Sequence, residues 1–117
     1  MNDSGATSVT VETRGTAVIV RAQKKIMDDD EMKAMSQLLD KAASAAPDIT
    51  LVVVDLSLVR IVPSLALGLL VQMSQKCRVR RQRLKLAGVQ PQVRQIFLVT
   101  RLDRLFEFAD GVEAALE

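Results

Sequence analysis

The sequence predicts a single α/β domain, a mixed four- to five-stranded sheet packed with about four helices. Three observations carry this reading. Ile49 to Leu56 is a continuous, largely β-branched run with no charge until Asp55, the pattern of a central strand covered on both faces. Met32, Met35, Leu39, Ala42 and Ala46 recur at intervals of three and four, the stripe of an amphipathic helix. Arg83 to Ala87 alternates as Arg, Leu, Lys, Leu, Ala, the signature of a half-buried strand. Strand and helix signals therefore interleave, which is the arrangement that builds layered α/β folds.

The elements follow in order. Val9 to Glu12 and Thr16 to Ala22 are β-branched segments separated by Arg14 and Gly15, so they predict an N-terminal hairpin. Asp28, Asp29, Asp30 and Glu31 crowd carboxylates where a helix begins, which suits the positive end of its dipole. That first helix ends before Pro47 and leads into the central strand. After Ser57 an apolar link, Leu58 to Val62, reaches Pro63, and a second helix is expected from Ser64 to about Arg78 with Ser64 as its N-cap. The strand Arg83 to Ala87 stops at Gly88. Pro91 then opens a third helix with Val93, Ile96, Phe97 and Thr100 on one face. Leu105 to Ala109 predicts a short last strand, and Gly111 to Leu116 a closing helical turn or two. Residues 1–117 form one domain in this reading, with 1–8 as a flexible N-terminus.

Composition narrows the function. The chain of 117 residues has no histidine and a single cysteine, Cys77. Imidazole is the usual general base at neutral pH and the usual metal ligand, and disulfides or thiolate zinc clusters need more than one cysteine. No catalytic residue, metal site or cofactor is therefore assigned, and the protein is expected not to be an enzyme. No Gly-rich phosphate loop followed by Lys-Ser/Thr occurs either. Cys77 shares an apolar stripe with Leu70 and Met73 and is expected to be buried and inert.

The net charge is +2, with positive residues gathered at Lys76, Arg78, Arg80, Arg81, Arg83 and Lys85. They fall where the second helix ends, where cations complement the dipole. The chain has three Phe and no Trp or Tyr, so stacking platforms for bases are lacking and no nucleic-acid partner is expected. No apolar run, Ile49 to Val54 included, approaches the roughly 20 residues of a membrane span. The polar start, Met1 to Thr10, has no signal-peptide pattern, so a cytoplasmic protein without membrane insertion is expected.

Five blocks, Leu51-Val-Val-Val-Asp-Leu-Ser57, Ser64 to Leu70, Leu84-Lys-Leu-Ala-Gly-Val89, Val93 to Phe97 and Leu102-Asp-Arg-Leu-Phe106, together resemble the STAS family of anti-sigma-factor antagonists. The similarity runs from Val9 to Leu116. In that family the strand ending Asp-Leu is followed, eight residues after its Asp, by Asp-Ser-Ser/Thr-Gly, which opens a helix whose hydroxyl a partner kinase phosphorylates. Here the same count from Asp55 lands on Pro63, and Ser64, Leu65 and Ala66 stand where the family has Ser, Ser/Thr and Gly. The match resumes at Leu67, Gly68 and Leu70.

The acceptor hydroxyl and its preceding carboxylate are thus both replaced. A phosphate attached at a helix N-terminus adds about −1.5 to −2 charges and switches an interface; Leu65 carries none. The resemblance implies a protein-binding regulator whose partner is an anti-sigma factor or kinase of the ATPase fold. A second possibility within the family is an accessory subunit bound to the permease of a membrane lipid-transport ABC complex. Self-association is left open. The partner-binding surface is expected at Pro63, Ser64, Leu65, Ala66 and Leu67, with Gly88, Val89 and Gln90 beside them, held permanently in the unphosphorylated state. Alternatively, Leu65 and Leu67 both turn inward as core. Ser64 is either an N-cap or a displaced phosphate acceptor. Asp55 has a structural turn contact as the alternative to orienting a nucleotide or magnesium ion.

Overall fold

The computed structural model describes residues 9–117, so the flexible N-terminus expected over 1–8 lies outside the described residues. The elements are β1 (Thr10–Arg14), β2 (Ala17–Arg21), α1 (Asp29–Ala43), β3 (Leu51–Asp55), α2 (Ser64–Val79), β4 (Arg83–Ala87), α3 (Pro91–Val99), a 3₁₀ turn (Leu102–Leu105), β5 (Glu107–Ala109) and α4 (Val112–Ala115). The five strands form one mixed sheet in the order β1-β2-β3-β4-β5. Only β1 and β2 pair antiparallel, through a turn in which Gly15 takes the left-handed φ of 57° that a tight hairpin requires. The three pairings from β2 through β5 are parallel.

The central run predicted from Ile49 to Leu56 is β3, paired on both edges with Val52, Val53 and Val54 fully buried. Its period of two splits the core. Val52 and Val54 join Val18, Val20, Leu84 and Leu86 under α1, α2 and α3, while Val53 joins Ile19, Ala87 and Ala115 under α4. The α4 side is thinly covered, which accounts for Lys85 in β4: its amine donates to the Ala115 carbonyl at 3.0 Å. On α1 the stripe Met32, Met35 and Leu39 is buried, and Asp28 is the N-cap, its Oδ1 accepting the Glu31 N–H at 2.9 Å. That bond, more than the nearby Lys24 ammonium, lowers the Asp28 pKa. Cys77 is fully buried with Leu70 and Met73, and burial pushes its thiol up to about 11.

Two sequence expectations are corrected. Ser64 is not the N-cap of α2. Pro63, with φ −62° and ψ 160°, occupies the cap position and its carbonyl accepts the Leu67 N–H at 3.1 Å, so Ser64 is already helical and its side chain caps nothing. The last strand does not begin at Leu105. Arg101 leaves α3 in a left-handed conformation, and the chain needs one 3₁₀ turn, ending at Leu105, before it extends at Glu107.

Candidate functional site

The parallel strands β2, β3 and β4 end together, and the connections that leave them make one end of the molecule. These connections are stitched by backbone. Arg60 and Ile61 donate to the Lys25 carbonyl at 2.7 and 3.0 Å, Met27 donates to Ile61 at 3.0 Å, and Ile26 and Ile61 form a parallel bridge. Leu56 donates to Ala87 at 3.0 Å, tying the β3 exit to the β4 exit. The segments after β2, β3 and β4 are therefore tied to one another through backbone.

Asp55 and Gln90 set the β3 exit. Asp55 Oδ1 accepts the Ser57 N–H at 3.0 Å, a local turn bond, and its Oδ2 lies 3.6 Å from Arg21 Nε. Gln90 Nε2 donates to the Ser57 carbonyl at 2.7 Å. Gly88, at φ 68°, lies so close that a Cβ would stand 2.8 Å from the Ser57 Cβ. Gly88, Val89 and Gln90 are half-buried and line a polar cleft of about 320 Å³ with Ser57, Pro91 and Arg94. The Arg94 guanidinium lies 4.1 Å from the centre of the Phe108 ring in that cleft.

The start of α2 divides the other predicted residues. Pro63, Ser64 and Leu65 are exposed, Leu65 at 57% of its surface, whereas Ala66 and Leu67 are buried in the core. Ala66 and Leu67 therefore shape the surface from beneath and do not present it. Neither predicted alternative for the two leucines holds for both, because a helix turns about 100° per residue and positions two apart cannot share a face. With no side-chain cap and no acidic residue in its first turn, α2 leaves its leading N–H groups without a carboxylate or hydroxyl partner among the described residues.

The sequence reasoning missed part of the site. Ile26, Leu58 and Ile61 are about half exposed in the connections at this same end. Ile26 and Pro63 share a shallow cavity of about 500 Å³ with Asp28, Asp29 and Asp30. The available signal was the apolar link Leu58 to Val62. It has neither helical nor strand period, so its outward residues could not be sorted from the inward Val59 and Val62. Among the described residues there is no group of three or more acidic or cysteine side chains that could hold a metal ion, and no helix long and apolar enough to cross a membrane.

A family model described as Mlab, STAS domain matches residues 9–107. Among solved structures, an anti-sigma factor antagonist from Mycobacterium paratuberculosis is 21% identical with a TM-score of 0.77, over 99% of this chain and 96% of that one. An anti-sigma-factor antagonist (STAS) domain protein from Planctomyces limnophilus is 19% identical with a TM-score of 0.77, over 92% and 94%. An RsbS variant from Moorella thermoacetica is 17% identical with a TM-score of 0.79, over 93% and 92%. At these identities the likeness is one of fold. No curated protein matches the sequence.

Proposed function

Because this chain belongs to the STAS domain family, whose model covers residues 9–107, we propose that it is a non-catalytic binding domain acting as an anti-sigma-factor antagonist without a phosphorylation switch. One observation carries the reading. Leu65, exposed on the first turn of α2, stands where the family has its acceptor hydroxyl, and Ile26, Leu58 and Ile61 are exposed at the same end. Covering four half-exposed aliphatic side chains is worth roughly 1 kcal/mol each, and about 4 kcal/mol together tightens an encounter by about a thousandfold.

The partner in this reading is a cytoplasmic anti-sigma factor or kinase of the ATPase fold, and capturing it releases the sigma factor. An apolar side chain at the acceptor position keeps the surface competent at all times. Ser64 is exposed at the first helical position, and the reading takes it as unmodified. A second reading, an accessory subunit of a membrane lipid-transport ABC complex, is favoured by the same substitution, since a permanent subunit needs no switch.

Affinity capture of the tagged protein from its own cells, with Leu65→Asp as control, separates these. Retention of an ATPase-fold anti-sigma factor by the wild type and its loss from the variant is the expected result. Retention of permease and transport ATPase subunits instead moves the function to transport, and equal retention of any partner by both forms refutes the assigned surface.

A further inference from the structure

A second recessed surface lies at the opposite end of the sheet, where the strands begin and α2 and α3 end. There a cleft of about 380 Å³ is lined by Arg78, Arg83 and Arg104 together with Ser74, Leu105 and Phe106. Arg83 is engaged: its Nε and Nη2 hold the two carboxylate oxygens of Glu107 at 3.1 and 2.5 Å. Arg78 and Arg104 have no carboxylate partner among the described residues. The cations on either side of Arg78 do, since Lys76 of α2 and Arg80, its C-cap residue, both bind Asp40 of α1, at 3.0 and 3.3 Å.

The dipole of α2 explains a cation at Arg78, but a four-residue 3₁₀ turn has little dipole to explain one at Arg104. Two more arginines, Arg81 and Arg101, occupy the left-handed positions that follow α2 and α3, with φ of 62° and 61°, where glycine is the usual residue. Neither has a carboxylate partner among the described residues. Unpaired guanidinium groups are thus concentrated at this end.

The geometry points to a docking site for a short acidic and apolar peptide segment of a partner protein, its carboxylates on Arg78 and Arg104 and an apolar side chain against Leu105. The Glu107 carboxylate held in the fork of Arg83 shows the cleft already accommodating that chemistry in the same place. Recession within a cleft favours a peptide over a bilayer, which meets protruding side chains. Nucleic acid would call for exposed rings, and Phe97 and Phe106 are buried while Phe108 lies half-buried under Arg94.

The test is fluorescence anisotropy with a labelled eight-residue peptide of alternating Leu and Glu, titrated with wild-type protein, with Arg78→Glu/Arg104→Glu and with Lys33→Glu, a surface charge change on α1. Expected are binding by the wild type that weakens with salt, at least about a tenfold loss in the double variant from two reversed charges, and no change for Lys33→Glu. Circular dichroism melting checks that the double variant is folded, as the exposure of both arginines predicts. No binding by the wild type, or equal binding by the double variant, overturns the proposal. So does tighter, equally variant-sensitive binding to phosphatidylserine vesicles, which would identify a membrane as the occupant.

Discussion

Gly88→Ala places a methyl group at the most constrained point of the candidate site. Gly88 has φ 68°, and an alanine there carries the left-handed penalty of about 1 kcal/mol. The added Cβ meets the Ser57 Cβ at 2.8 Å and the Ser57 Cα at 3.3 Å, against an optimal carbon separation of about 3.5–4.0 Å. No rotamer relieves a contact between two Cβ atoms, so backbone must move. Ser57 cannot move freely, because its N–H is held by Asp55 and its carbonyl by Gln90. Overpacking of this kind adds about 1–3 kcal/mol, for a total near 3 kcal/mol. For a domain of this size that corresponds to a fall in Tm of roughly 10 °C. The comparison is Gly68→Ala, inside α2, where a Cβ meets nothing within 4 Å and the loss of helix-breaking glycine stabilises by about 0.5–1 kcal/mol. Urea melts of both variants read the difference. If Gly88→Ala proves as stable as the wild type, the rigid coupling of the β3 and β4 exits is wrong.

Other outcomes follow from the same structure. Leu65→Asp removes an exposed side chain and puts a carboxylate in the first turn of α2, so stability stays the same or rises by about 0.5 kcal/mol in thermal melts, while partner binding is lost. Arg101→Gly relieves a left-handed φ of 61° in a side chain with no ion pair among the described residues and stabilises by about 0.5–1 kcal/mol in urea melts. Cys77, with its pKa raised by burial to about 11, does not react with a disulfide reagent at neutral to mildly basic pH until the protein is denatured. The raised value also fixes a sign: the folded state keeps a proton that the unfolded thiol loses, so this contribution is complete below about pH 8.5 and declines as pH rises toward 11.

Most of the architecture was legible because periodic burial leaves a periodic sequence. The Met32, Met35, Leu39 stripe, the valines of β3 and the alternation of β4 each sit as their spacing requires. The errors fall where period is absent. At Pro63-Ser64 two residues compete for one cap position, and proline's fixed φ places it there with serine one step inside. At Leu105 a single 3₁₀ turn is too short to show a repeat.

The candidate site was half legible. The departure from the family motif pointed to Leu65, which is exposed, but a motif is blind to which of its members face outward, so Ala66 and Leu67 were included and are buried. Ile26 carries no local signal, because what brings it to this end is a bridge to Ile61, made across a long separation in sequence. In the sequence alone the basic run is indistinguishable from an ordinary helix end. Its unpaired members became distinguishable only once Asp40 and Glu107 were seen to engage Lys76, Arg80 and Arg83.

The binding surface proposed at the start of α2 is one that no phosphate turns off. Its most direct test is to mix the purified domain with the ATPase-fold anti-sigma factor proposed as its partner and excess ATP, then follow the complex by size-exclusion chromatography and the intact mass of the domain over hours. The expected result is a complex that persists and a domain of unchanged mass. A complex that dissolves as the domain gains one phosphate, on Ser64 or elsewhere, would contradict it.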